Sequence, residues 1–349
     1  MPADRPEALP SLLGWLDGVA TSGDPDLFAA GFLTYEAGVF LEGSHRLCRP
    51  PEKTPLAAFS LFRLSNGGAP PARADGGLLV LGEEPGERER WAASIGAIRE
   101  GIARGDVYQV NLTRRLRALG EISPGTLAER LHRENPVPYA MTFEGDGYAV
   151  VSNSPELFLD VDLALRRGTS APIKGTLQRA EDPARLVASA KDGAEHVMIV
   201  DLVRNDLGRV SVPGGVTVPR LRTLKTFRHL FHLESLVAGR LRSDVALSDV
   251  LLATLPAGSI TGAPKRASLR FIRELEACPR GVYTGAVGYV RGNGRAVFNV
   301  AIRTAVVTPG AVDYHAGGGI VWDSDAGLEW DETETKSREL FAVIASGSR

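Results

Sequence analysis

Two spacings of apolar residues, one helical and one alternating, divide this chain into helices and strands. Over residues 87–104, Trp91, Ile95, Ile98 and Ile102 recur at helical spacing, and Gly105-Asp106 ends the run before a strand-like stretch at 107–112. Alternation marks 148–152 and 157–161 as strands, which places Glu156, in Asn153-Ser154-Pro155-Glu156, at the end of the turn between them. Asp182-Pro183 is a capping aspartate followed by the residue preferred at the first helical position, and it predicts a helix that runs to Leu207 before Gly208 stops it. On that helix Glu195 shares a face with Ile199 and Leu202. Residues 298–307 alternate throughout, predicting one strand with Phe298, Val300 and Ile302 on one face and Asn299, Ala301 and Arg303 on the other. Pro309-Gly310 then turns the chain into a hairpin with 311–315.

Earlier in the chain the apolar runs at 31–35 and 38–41 are short, glycine-interrupted and read as strands. Residues 65–77 hold too much Gly and Pro for a regular element and predict a surface loop. We expect a single domain over 1–349, with an N-terminal part over 1–85 and a core over 86–349. Helices interleaved irregularly with hairpins imply an α+β layered fold with largely antiparallel sheets, not a regular βαβ alternation.

With 349 residues and 44% apolar content the chain can bury a sizeable core. A net charge of −2, with both signs mixed along the length, gives no case for nucleic acid or an anionic membrane surface. No apolar stretch reaches the roughly 18 residues of a membrane span, and the start lacks a secretory pattern, so the expected location is the cytoplasm. Cys48 and Cys278 stand outside any Cys-x-x-Cys pair and suggest neither a disulfide framework nor a zinc site. Small-molecule chemistry remains.

Several residues can carry it, each with a plainer reading beside it. Glu195 on an apolar helical face needs a cation, a metal or a proton unless it sits at the margin of that face. Glu329, Glu332 and Lys336 share one face of a helix, either as a solvated acidic helix or as oxygen ligands for a hard cation such as Mg²⁺. Gly317-Gly318-Gly319 forms a tight turn or lets backbone N–H groups approach an anion. Arg303 offers its fork to a carboxylate or to a structural ion pair. The run 258–265 fails as a phosphate loop, because Ala263-Pro264 stands where Gly-Lys-Ser/Thr is required.

In order, Ser154-Pro155-Glu156, Pro172-Ile173-Lys174-Gly175-Thr176, Ala194-Glu195-His196 leading into 201–209, the run 258–265, Ala301-Ile302-Arg303-Thr304-Ala305 and Ala316-Gly317-Gly318-Gly319-Ile320-Val321 resemble the signature runs of the chorismate-utilising enzymes. The resemblance covers about 91–341. It implies the anthranilate synthase component I fold, an α/β sandwich with chorismate and Mg²⁺ in a central cleft. The stretch before the first shared motif is shorter than in many relatives.

The resemblance also assigns roles. Lys174 is implied as a covalent nucleophile and Glu156 as the acid that protonates the leaving hydroxyl. Glu195 and Glu332 are implied as Mg²⁺ ligands, with Glu329 behind them. Gly175, Thr176, His232, Tyr283, Arg303, Gly317, Gly318, Gly319 and Lys336 match substrate-contacting positions. Water-adding members carry a lysine where this chain has Gln109, and anthranilate synthases usually have alanine at the place of Lys174. The Pro-Ile-Lys-Gly-Thr form resembles aminodeoxychorismate synthase component I, which adds ammonia supplied by a separate glutamine amidotransferase (glutaminase) subunit in the route to 4-aminobenzoate and folate. To act, Lys174 must be neutral and should titrate below an ordinary lysine. Anthranilate synthase component I is the same-family alternative, and a non-catalytic chorismate-binding paralogue the remote one. Glu234 departs from the valine common in relatives.

Overall fold

The computed structural model describes residues 2–64, 79–82, 84–228, 230–338 and 340–342. The loop expected at 65–77 lies outside the described residues. Among the described residues two sheets form, and every strand pair in them is antiparallel. The larger sheet, of ten strands, runs Pro2–Ala3, Ala57–Arg63, Leu27–Leu33, Ala286–Arg291, Arg295–Val300, Leu157–Asp162, Arg167–Ala171, Leu230–Leu241 and Ile173–Gln178, with Ser211–Thr226 also paired to Leu230–Leu241. The smaller, of seven, runs Gly262–Ala263, Gln109–Gly120, Ala311–Ile320, Thr304–Thr308, Tyr148–Ser154 and Tyr139–Gly145, with Leu79–Leu81 on Gln109–Gly120.

The sheets meet through Phe32, Ala58 and Val287 of the larger and Phe143 and Val150 of the smaller, all buried in one apolar cluster. The Phe32 and Phe143 rings meet edge to face at 5.7 Å between centroids. The main core draws on both sheets: the helices Leu9–Ala20 and Leu247–Thr254 bury their apolar stripes beside the larger, and Glu87–Ala103 and Lys265–Leu275 theirs against Gln109–Gly120 of the smaller. Trp91, Ile95 and Ile98 are buried on the expected face of Glu87–Ala103, while Ile102 is half-buried. N-terminal strands sit inside the larger sheet beside strands from residues 286–300.

Three expectations are corrected. Residues 38–41 are helical, within Tyr35–Leu41, because the Thr34 hydroxyl oxygen accepts the Ala37 N–H at 3.1 Å and starts a helix; so short an apolar run has no decisive period. The helix after Asp182 is two helices, Pro183–Ala188 and Ala190–Gly208, broken at Ser189. Asp182 caps the first of them through a bond from the Ala184 N–H, 2.9 Å. The stretch 298–307 is also two strands, and they lie in different sheets. Between them Arg303 takes a left-handed φ of 51°, which ends the alternation and carries the chain across.

A second crossing runs beside the first. Pro155-Glu156 joins Tyr148–Ser154 of the smaller sheet to Leu157–Asp162 of the larger. The two crossings are tied by Asn153 N–H to Arg303 C=O, 2.9 Å, by Val300 N–H to Glu156 C=O, 3.1 Å, and by the Ser154 hydroxyl to Val300 C=O, 2.6 Å. Glu156 and Arg303 are thus held side by side where the sheets part.

Candidate active site

A cleft of about 590 Å³ opens at these crossings. Its floor is the Gly317–Gly319 stretch, which lies inside the strand Ala311–Ile320 and pairs with Asn111, Leu112 and Thr113, so the tight turn considered for it is not formed. The strands Ile173–Gln178 and Leu230–Leu241 bring in Lys174, Gly175 and His232; the helix Ala190–Gly208 brings in Glu195; the helix Ala326–Lys336 brings in Glu329, Glu332 and Lys336. Glu156, Tyr283 and Arg303 complete the lining. Thr176 continues the Lys174 strand opposite His232. Positions spread over 180 residues of sequence therefore converge on one cavity, as their chemistry requires.

Glu156 is buried, and burial pushes its carboxyl up to about 7 although the Ser259 hydroxyl donates to its Oε1 at 3.0 Å and Lys174 lies near. Burial also pushes the His232 imidazole down to about 4, so it is neutral at physiological pH, and Nδ1–H donates to the Gly175 carbonyl at 3.1 Å. Tyr283 is pushed up to about 12 by burial and stacks on His315, 5.2 Å between centroids. Arg303 donates to the Lys336 carbonyl at the end of its helix. Two roles were missed in the sequence: Ser259 beside Glu156, and His315, which stacks on Tyr283. Ser259 lies in the 258–265 run, which fails as a phosphate loop and carries the family resemblance without a role for its serine, and His315 follows the alternation that includes Gly317 and Gly319.

The carboxylates are matched to lysines. Lys174 Nζ lies 3.2 Å from Glu195 Oε2, and Lys336 Nζ lies 2.7 Å from Glu332 Oε1 and 2.7 Å from the Gly317 carbonyl. Glu329 is buried and accepts from the Ser324 hydroxyl at 2.7 Å. Among the described residues no three His, Cys, Asp or Glu side chains form a preformed metal cluster. A side-chain carbon on Gly318 would still lie 3.2 Å from Glu329 Oε2 and 3.7 Å from Glu332 Oε1, so both carboxylates converge over that glycine. Oxygen donors from two helices, few in number, fit a hard cation that keeps water and takes its remaining ligands from a substrate.

Glu234 acquires a structural reason. Lys225 on the neighbouring strand pairs with it at 3.1 Å, and its charge adds to the upward push on Glu156.

Residues 81–342 match the chorismate binding enzyme family. The chain belongs to that family. It is 41% identical to anthranilate synthase component 1 of Haloferax volcanii over 78% of its own length, and spans only about half, 53%, of that relative. The Saccharolobus solfataricus anthranilate synthase component 1 is 35% identical over 95% of this chain and 85% of the relative. The crystal structure of anthranilate synthase component I from Streptococcus pneumoniae superposes with a TM-score of 0.78 at 29% identity, covering 93% of this chain and 84% of that one. Among the described residues no helix is long and apolar enough to cross a membrane.

Within this chorismate binding enzyme the glycine floor has a steric reason. A side-chain carbon on Gly319 would lie 2.2 Å from Gln109 Nε2 and 3.0 Å from Lys174 Nζ. Gln109 is fully buried there, and neither of its amide atoms has a hydrogen-bond partner among the described residues. Gly319→Ala is expected to push Gln109 and Lys174 aside, lowering turnover by about 10²-fold, the scale of a 1 Å misplacement, and stability by about 1–3 kcal/mol. Steady-state kinetics beside thermal unfolding check this, and unchanged turnover would refute the close fit.

Proposed function

We propose that this chain aminates chorismate at C4, giving 4-amino-4-deoxychorismate, with ammonia delivered by a glutaminase subunit. The observation that carries this reading is the Lys174 amine in the cleft, 3.2 Å from Glu195 and set against Gly319. Nitrogen ends on the carbon that bore the hydroxyl, which two successive allylic displacements achieve. The Lys174 amine adds at C2, both ring double bonds shift (C1=C2 to C1=C6 and C5=C6 to C4=C5), and the C4 hydroxyl leaves as water with a proton from Glu156. Ammonia then adds at C4, both double bonds shift back, and the lysine amine leaves C2. Ammonia adding directly at C2 leads instead towards anthranilate.

Glu156 suits the acid role because burial keeps a proton on it near neutral pH. Arg303, Lys336 and the glycine floor suit a dianionic substrate, and neutral His232 can meet a hydroxyl. Glu195 and Glu332 would hold Mg²⁺, with Glu329 behind them; when bound, the ion neutralises a substrate carboxylate. The same carboxylates hold Lys174 and Lys336 in this structure, so a cation on Glu195 would compete with the Lys174 ammonium.

The relatives favour a second reading, since those matched above are named anthranilate synthase component 1 or component I. Incubation with chorismate, Mg²⁺ and an ammonium salt separates the two. Aminodeoxychorismate as the dominant product is expected; anthranilate formed directly would establish the second reading, and binding without turnover would leave a non-catalytic paralogue. Glu195→Gln is expected to abolish turnover in either catalytic case.

A further inference from the structure

Lys174 and Glu195 come from different elements, a strand of the larger sheet and the helix Ala190–Gly208, and neither element by itself fixes their separation. Behind the cleft, one residue, Ser235, is bonded to the segment leading into the Lys174 strand through its backbone and to the helix through its hydroxyl. Ser235 is fully buried, and its backbone N–H donates to the Pro172 carbonyl at 3.1 Å, two residues before Lys174. Its hydroxyl lies 2.8 Å from Nε2 of His196, the neighbour of Glu195, which is also fully buried. Successive helical residues point about 100° apart, so His196 can face the sheet while Glu195 faces the cleft.

The hydroxyl has a third partner. Arg222 N–H donates to Ser235 Oγ at 2.9 Å, from a backbone held at a left-handed φ of 53° where the register of Ser211–Thr226 shifts. The hydroxyl thus accepts from Arg222 and shares a second hydrogen bond with His196 Nε2, in which either atom can donate according to the imidazole tautomer. Arg222 reaches the same helical layer, since a side-chain carbon on Gly193 would lie 2.8 Å from its guanidinium, and it donates to the Val187 carbonyl at 2.9 Å. The helix before Glu195 is clamped from the strand side, and its height over Lys174 is set at Ser235.

We propose that Ser235, through His196, is a positioning residue that fixes the Glu195 carboxylate against the Lys174 amine. Its importance for turnover rests on the amination reading, but the placement itself is independent of it. A buried network of this kind is costly to leave half-made, so removing the hydroxyl should let the helix move rather than leave Nε2 and the Arg222 N–H unsatisfied.

Pulse labelling of the full chain with acetic anhydride, read at each lysine by peptide mass spectrometry, tests the placement without substrate or metal. Ser235→Ala is expected to raise the labelling rate of Lys174 about threefold to fivefold, the range set by release of a half-buried ion pair, and to bring it to the level of Glu195→Gln. Lys53, paired with Asp313 of the smaller sheet at 3.0 Å, should stay constant. Ser235→Thr keeps the hydroxyl and should label as the parent does. If Ser235→Ala does not fold, His196→Leu against His196→Gln makes the same comparison, because glutamine can offer its amide near the place of Nε2. Loss of thermal stability with Lys174 labelling unchanged in Ser235→Ala, or in His196→Leu, would reduce the network to a fold brace and overturn the proposal.

Discussion

Lys174→Ala is expected to cut formation of a C4-aminated product by roughly three orders of magnitude or more, the scale on which losing a covalent nucleophile is felt. Lys174 is only half-buried and its partner Glu195 is likewise half-buried, so the fold should survive, with at most about 1 kcal/mol lost from the ion pair. The parent chain, given chorismate without ammonia, should accumulate an adduct heavier by chorismate less one water, because the amine replaces the hydroxyl. Intact-mass measurement should find it in the parent and not in the variant. If nitrogen instead adds directly at C2, the variant keeps making anthranilate and no adduct forms in either protein. An unchanged rate in Lys174→Ala therefore rejects covalent capture and leaves the anthranilate reading.

Much of the cleft could be read from the sequence because its residues sit in short ordered runs that resemble those of a known family, and for a few of them the local geometry is also simple. Glu156 follows a strand and precedes another, and both strands alternate cleanly, so its place at a turn was visible. Glu329, Glu332 and Lys336 share a face by helical spacing alone. What alternation could not show was a change of sheet. Residues 298–307 keep their period across the break, and the left-handed backbone of Arg303 has no signal in a side chain that adopts it rarely. The glycines 317–319 suggested a turn because glycine is rare inside strands, yet here close approach to Leu112, Gln109 and Lys174 leaves no room for a side chain. His196 and Ser235 were invisible for another reason: a buried imidazole and a hydroxyl mean little until three elements bring them together.

The pH dependence of turnover should report Glu156. Its carboxyl is held at about 7 by burial, so the protonated form needed by a general acid is present below that value and is lost as pH rises through it. Turnover should therefore fall on the alkaline side of about 7, and Glu156→Gln should lower it by about 10²–10⁴-fold while removing that limb. Stability follows the same sign. A carboxyl raised from its usual 4.5 to about 7 contributes its full share at low pH and loses it as pH climbs through that interval, so Glu156→Gln should flatten the decline seen in the parent. Ser259 supplies an internal control, because its hydroxyl donates to Glu156 Oε1 and favours the carboxylate. In Ser259→Ala the carboxyl should rise further and the alkaline limb should move to higher pH. A limb that stays in place in Ser259→Ala and survives in Glu156→Gln would assign the proton to another group in the cleft.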